Sequence, residues 1–206
     1  MKSSGGFFSQ DIINQLNTVF SKMERKLQLE LHLDSRPVSQ ELENYMTQLA
    51  KYTDKLTVHE SAPSADTGAS LPFVDVLTES GEKTGLAFHG VPGGHEFTSF
   101  ILGLYNTAGL AATSIHVIRR KIHGQSKHNV HLQILVSLSC TMCPDLVTAA
   151  QRIASLNPLV TAEVYDIAHF PDLKEKYHVM SVPCLIINQD KTSFGKKNIQ
   201  QILELI

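Results

Sequence analysis

The order of apolar and polar positions divides the chain into alternating helical and extended segments. Ile12, Ile13, Leu16, Val19, Phe20 and Met23 recur at helical spacing. Leu27, Leu29, Leu31 and Leu33 then alternate with Gln28, Glu30 and His32, the period of a strand buried on one face. Residues 38–52 return to the helical period, with Leu42, Tyr45, Met46 and Leu49 on one side. A short strand is predicted at 56–59. Strands at 73–77 and 85–88 flank Glu79-Ser80-Gly81-Glu82 and read as a hairpin. An apolar helix follows at 97–110, opened by Gly93-Gly94, and one more helix is expected at 113–122.

The same order then recurs. Residues 130–138 read as a strand, and 144–156 as a helix with Leu146, Ala149, Ala150 and Ile153 on one side. A strand at 161–166 and a short helix at 171–177 follow. Strands at 185–188 and 191–194 enclose Gln189-Asp190, and a helix closes the chain over 198–206. Each half has an apolar-Pro step ahead of its hairpin, Leu71-Pro72 and Val182-Pro183. A proline there suits a strand start or a special turn, because it has no N–H for the sheet. Strand, helix, strand, X-Pro, hairpin and helix make the thioredoxin-type layout, in which the X-Pro bond is commonly cis and faces the helix that carries the cysteines. The predicted class is α/β: two fused thioredoxin-like domains, three-layer α/β/α with a mixed sheet. Residues 1–123 form the first and 124–206 the second. The turn-rich stretches 61–70 and 123–129 read as loops, the latter between the halves.

Composition narrows the function classes. The net charge of −2 lacks the basic excess of a general nucleic-acid binder. Apolar runs such as 132–138 are too short to cross a bilayer. The first residues, Met1-Lys2-Ser3-Ser4-Gly5-Gly6-Phe7, contain no signal-peptide core, so a cytoplasmic location is expected. In a reducing compartment the pair Cys140 and Cys143 reads as metal binding or redox chemistry rather than as a structural staple.

Redox chemistry is the stronger reading. Zinc wants four ligands, commonly two pairs, and no second Cys pair exists, so no metal is expected. Cys140 follows a buried strand and opens a helix, where unpaired amides and the helix dipole favour a thiolate. Cys143 lies one turn deeper, and Pro144 fits a first helical turn. Cys140 is therefore the expected attacking thiol and Cys143 the resolving one.

Longer motifs narrow this further. Ser137-Leu138-Ser139-Cys140-Thr141-Met142-Cys143-Pro144-Asp145, Gly94-His95-Glu96-Phe97-Thr98-Ser99, Leu156-Asn157-Pro158, Ser181-Val182-Pro183 and Phe194-Gly195 together resemble the N-terminal redox domain of the alkyl hydroperoxide reductase flavoprotein subunit, over about 11–206. The resemblance implies two fused thioredoxin-like folds, of which only the second keeps its cysteines. It implies electron transfer from a flavin- and NADH-binding module to the disulfide of a two-cysteine peroxiredoxin. It also implies that Glu96 lies beside the dithiol. Three departures stand out. Thr141 and Met142 replace the His and Asn common between the cysteines, Cys184 replaces the usual Ala after Pro183, and the flavoprotein body is missing. No Gly-X-Gly-X-X-Gly follows a predicted strand, so no cofactor is expected in this chain, and FAD and NADH belong on a flavoprotein disulfide reductase module elsewhere.

The expected function is a thiol-disulfide oxidoreductase that supports hydroperoxide reduction, with catalytic residues Cys140, Cys143, Glu96 and Pro183. A glutaredoxin-like general disulfide reductase and a non-catalytic docking module remain as alternatives. Glu96 has an ordinary reading as a first-turn acid and a chemical one as a proton carrier. Cys184 is expected near the dithiol if Pro183 faces it. His116, His123, His128 and His131, with Arg119, Arg120 and Lys121, read as a solvated helix and linker. Phe97, Phe100, Leu102 and Leu104 read as core.

Overall fold

The computed structural model describes residues 7–62, 70–109 and 128–206. The predicted helix at 113–122, most of the 61–70 loop and the 123/124 domain boundary lie outside the described residues.

Chain order follows the hydrophobic pattern closely. Helix α1 (Gln10–Phe20) is capped by the Ser9 side chain, which accepts from the Ile12 N–H, and it buries Leu16 and Phe20. In β1 (Leu27–His32) the leucines face inward and the polar residues outward. Helix α2 (Pro37–Ala50) starts on a proline, whose missing N–H is no loss in a first turn. Next come β2 (Leu56–Glu60), the hairpin β3 (Phe73–Thr78) and β4 (Lys83–His89), and helix α3 (Glu96–Ala108). The second half supplies β5 (Val130–Val136), α4 (Cys143–Ala154), β6 (Val160–Asp166), α5 (Pro171–Lys176), β7 (Cys184–Ile187), β8 (Lys191–Phe194) and α6 (Ile199–Leu203).

The eight strands among the described residues form one mixed sheet in the order β2-β1-β3-β4-β6-β5-β7-β8. β1 is parallel to β2 and antiparallel to β3, and β3 is antiparallel to β4. β5, β6, β7 and β8 repeat that pattern. The two sets meet through parallel pairing of β4 with β6, from Leu86 opposite Ala162 to His89 opposite Tyr165. At this seam Gly85 has φ +84°, and a Cβ on it would lie 2.8 Å from the Val160 carbonyl oxygen. Only glycine meets both demands at once.

The fold is thioredoxin-like, with apolar clusters on the two faces of the sheet. The larger contains Leu29, Leu42, Leu104, Leu132, Ile134 and Leu146, beneath α1 to α4 and α6. The smaller contains Leu135, Tyr165, Phe170, Val179, Cys184 and Ile186. Each fully buried leucine contributes about 1.5–3 kcal/mol, so the larger cluster dominates cohesion. Phe100 and Leu104 are core as expected, whereas Phe97 and Leu102 are only half-buried. No helix among the described residues is long and apolar enough to cross a membrane.

Candidate redox site

The site is assembled from three segments. The first is the loop 137–142 between β5 and α4, turned by a hydrogen bond from the Cys140 N–H to the Ser137 carbonyl (2.9 Å). The expectation that Cys140 opens the helix needs correction. Cys143 is the first helical residue and Met142 the N-cap, so Cys140 stands in the turn that leads into the helix. Met142 makes no side-chain cap, which leaves the first-turn amides of α4 without a side-chain acceptor there.

Cys140 and Cys143 form a disulfide with a Cα–Cα separation of 5.5 Å, within the ordinary range. Cys143 is fully buried and Cys140 half-buried. An external thiolate therefore reaches the Cys140 sulfur more readily. Exposed Met142 and Met180 are apolar side chains from the cysteine turn and the Val182-Pro183 approach.

The second segment is that approach to β7. The Val182–Pro183 peptide is cis. Its Val182 carbonyl oxygen lies 3.9 Å from the Cys140 Sγ. The Pro183 carbonyl accepts from the Gly195 N–H (2.9 Å), which ties the approach to the end of β8.

The third segment comes from the first half. The Tyr45 hydroxyl donates to the Pro92 carbonyl (2.8 Å) and fixes the loop ahead of α3. Gly94 has φ +54°, and a Cβ on it would lie 2.5 Å from the Leu138 carbonyl oxygen. That close approach lets the His95 N–H donate to the same oxygen (3.0 Å). The start of α3 is thereby held against the loop that carries Cys140.

Glu96 is the next residue, and it is fully buried. Its carboxylate accepts from the Ser99 hydroxyl, while its Oε1 is buried with no hydrogen-bond partner among the described residues. Burial raises its pKa from the ordinary 4.5 to about 7; the Ser99 hydrogen bond opposes this and the charge of Asp166 adds to it. Asp166 is only 2% exposed at the end of β6 and belongs to no motif of the sequence. The available signal was a carboxylate closing an apolar strand. Its Oδ1 accepts from the Ala168 N–H (3.1 Å).

The structure thus places Cys140, Cys143 and Pro183 together and brings the Glu96 helix start against the same loop. It does not bring Cys184 with them. Residues along a strand alternate between faces. Cys184 therefore lies in the smaller cluster with Leu135 and Ile186, opposite the cluster that contains Cys143. Burial pushes its thiol up to about 11, against a backbone hydrogen bond from Ser193 and the charge of Lys197. His131 also departs from the solvated-linker expectation. It lies in β5 with Nε2 3.1 Å from the Glu163 carboxylate. Burial of Glu163 is outweighed by His131, His89 and Tyr165, which hold its pKa far below the ordinary range. His116, His123, Arg119, Arg120 and Lys121 lie outside the described residues.

Comparison with known proteins places this geometry. The thioredoxin-domain family profile matches residues 130–206. The N-terminal domain of alkyl hydroperoxide reductase AhpF from Enterococcus faecalis superposes with a TM-score of 0.88 at 33% identity, covering 97% of this chain and 99% of that one. The chain belongs to the family of AhpF N-terminal domains. The AhpF of Staphylococcus aureus strain NCTC 8325 is 29% identical over 94% of this chain, and a protein named NADH dehydrogenase from Ferdinandcohnia aciditolerans is 30% identical over 93%. The chain spans 36% of the length of each of these two relatives. A protein disulfide oxidoreductase from Aeropyrum pernix shares the fold, with a TM-score of 0.78 at 21% identity. As a member of the AhpF N-terminal domain family, the chain has a thioredoxin-like disulfide-oxidoreductase fold with its disulfide at Cys140–Cys143.

Proposed function

We propose that this chain is an electron carrier that takes reducing equivalents from a flavoprotein disulfide reductase and passes them to the disulfide of a two-cysteine peroxiredoxin, in support of hydroperoxide reduction in the cytoplasm. The observation that carries the reading is the Cys140–Cys143 disulfide, half-exposed on the Cys140 side and beside the cis Val182–Pro183 peptide. Family membership supplies the reaction context. The working division is residues 1–123 as a cysteine-free unit and 124–206 as the redox unit. FAD and NADH act on the flavoprotein module.

The chemistry balances without a cofactor in this chain. Two electrons from the reductase convert the disulfide to a dithiol. The Cys140 thiolate attacks one sulfur of the peroxiredoxin disulfide, which breaks, and a mixed disulfide forms as one peroxiredoxin thiol leaves with a proton. The Cys143 thiol gives its proton to Glu96 and attacks the Cys140 sulfur. The internal disulfide closes and the second peroxiredoxin thiol departs. A carboxyl raised to about 7 is suited to take and return that proton near neutral pH. Pro183 supports the strand approach that lines Cys140, and the exposed Met142 and Met180 offer polarizable, adaptable contact to the client.

The test uses the full chain and an oxidised two-cysteine peroxiredoxin. Cys143→Ser is expected to accumulate a mixed disulfide on a non-reducing gel, and Cys140→Ser to accumulate little. Wild type should not turn over with NADH alone and should do so once a flavoprotein disulfide reductase is added. Equal trapping by the two variants would overturn the assigned thiol roles. NADH-driven turnover without a reductase would overturn the carrier reading.

A further inference from the structure

We propose that Glu30, His32 and Asp75 form a binding site for a divalent transition-metal ion of the zinc type, on the face of the sheet opposite the one that packs against the dithiol helix. The proposal is independent of the redox function. Its ligand atoms lie within 4.8 Å of one another. The His32 Nε2 is 3.2 Å from a Glu30 carboxylate oxygen and 3.7 Å from the Asp75 Oδ2. Zinc bonds to nitrogen and carboxylate oxygen are about 2.0–2.2 Å, which puts tetrahedral neighbours about 3.3–3.5 Å apart. The three side chains therefore need only small adjustments to close on one ion, leaving a fourth position for water.

The strand register explains why they meet. Glu30 and His32 are two apart in β1 and share a face, and Glu30 stands directly opposite Asp75 of β3. Like charges directly opposite one another in a sheet repel, so this pair calls for a cation. Asp75 is 92% buried, and its Oδ2, inaccessible to solvent, makes no well-aligned hydrogen bond among the described residues; its charged neighbours are His32 and Lys83. The ammonium of Lys83 lies 3.2 Å away from that oxygen, on a side chain that is 77% exposed and free to swing aside. The His32 ring is stacked on Phe73 with centroids 4.2 Å apart and planes 9° from parallel, which fixes the direction of its Nε2. Glu30 and His32 keep some solvent contact, so an ion has a way in.

The fold does not require these charges. The second half has the same strand pairing, and its corresponding positions are Gln133, Leu135 and Ile186. A histidine and two carboxylates brought to one point from two strands are a donor set that zinc, cobalt and nickel accept.

The experiment uses the tag-free full chain with the Cys140–Cys143 disulfide kept closed, so that the dithiol cannot bind metal. Zinc chloride is titrated calorimetrically, and cobalt chloride is followed by visible absorption. One ion is expected per chain. His32→Ala should weaken zinc binding at least tenfold and abolish the cobalt bands, while His131→Ala leaves both unchanged. Lys83→Ala removes the competing ammonium from an exposed position and should tighten binding several-fold with the fold intact. Absence of binding, or equal zinc affinity in wild type, His32→Ala and Lys83→Ala, overturns the proposal.

Discussion

The two halves of the sheet carry the same strand pairing and the same cis apolar-Pro step, Leu71–Pro72 in one and Val182–Pro183 in the other, yet they close the helix that faces that step in different ways. In the second half, the longer loop 137–142 brings a disulfide to the start of α4. In the first half, the shorter loop 33–36 brings a carboxylate. Asp34 accepts from the Arg36 N–H (2.9 Å), the Arg36 Nε (2.8 Å) and the Ser39 hydroxyl (2.6 Å). Arg36 in turn lies over the Phe170 ring, 5.7 Å from its centroid, and so links this end of the first half to the second. The scaffold supplies a helix start beside a cis proline in both halves. Loop length and side-chain choice decide whether that place holds an electron pair or an ion pair.

The halves are also unequal in what they lend each other. The first half holds the cysteine loop through Gly94 and His95, both of which meet the Leu138 carbonyl. The second half covers one face of its sheet with α5 and the smaller apolar cluster, where the first half places Glu30, His32 and Asp75 instead.

The largest expected effect separates the two helix starts. Cys140→Ser or Cys143→Ser should reduce disulfide-reduction turnover to the background rate, while Asp34→Ala retains wild-type turnover in the same peroxiredoxin-coupled assay. Loss of turnover in Asp34→Ala would show that the first-half site takes part in the chemistry.

The next prediction tests the first half's contribution to the second. Because burial raises the Glu96 pKa from 4.5 to about 7, the folded chain holds a proton that the unfolded chain releases over that interval. The contribution is complete below about pH 4.5 and is lost as pH rises to about 7. A tenfold difference in proton affinity between the folded and unfolded chains is worth about 1.4 kcal/mol, so Glu96→Gln should be about 3 kcal/mol more stable than wild type at pH 8 and nearly equal to it at pH 4. Urea unfolding at the two values measures this. A constant difference at both would mean that the carboxyl is not held neutral.

Gly94→Ala attacks the contact between the halves. The new methyl would meet the Leu138 carbonyl while the backbone keeps a left-handed conformation. A cost of about 2 kcal/mol is expected, together with slower turnover because the cysteine loop is displaced. A stable variant with normal turnover would show that the α3 start does not position that loop.

The smallest effect belongs to the ion-pair end. Asp34→Ala should cost about 1 kcal/mol near neutral pH through lost hydrogen bonds. Burial of Asp34 raises its pKa, but the Ser39 and Arg36 hydrogen bonds outweigh it and the net shift is downward. Its contribution is therefore present above the ordinary carboxylate range and is lost as pH falls through the lowered pKa. Denaturant titrations of wild type and variant should converge in strong acid. A gap that persists there would point to packing rather than to the carboxylate.

Much of this architecture was legible in the chain itself. Alternating leucines in 27–33 set β1, the 3.6-residue spacing of Leu42, Tyr45, Met46 and Leu49 set α2, and the two hairpins followed from the turn residues at 79–82 and 189–190. These are local patterns, and a half-buried strand or helix has few ways to hide its apolar side. The Cys140–Cys143 pair and the Val182-Pro183 step were equally plain, because residue type and spacing carry their chemistry. Tertiary structure decided what depends on register and on contacts distant in sequence. One was the face on which Cys184 lies, set by strand alternation after Pro183. Others were the raised proton affinity of Glu96, which needs burial and the charge of Asp166, and the place of His131 beside Glu163 rather than in solvent. The meeting of Glu30 and His32 with Asp75 belongs there too, since only the pairing of β1 with β3 puts the two carboxylates opposite each other. Periodicity reports which side chains hide from water. It does not report which charged groups end up within a few ångströms of one another, and electrostatic energy depends on that separation.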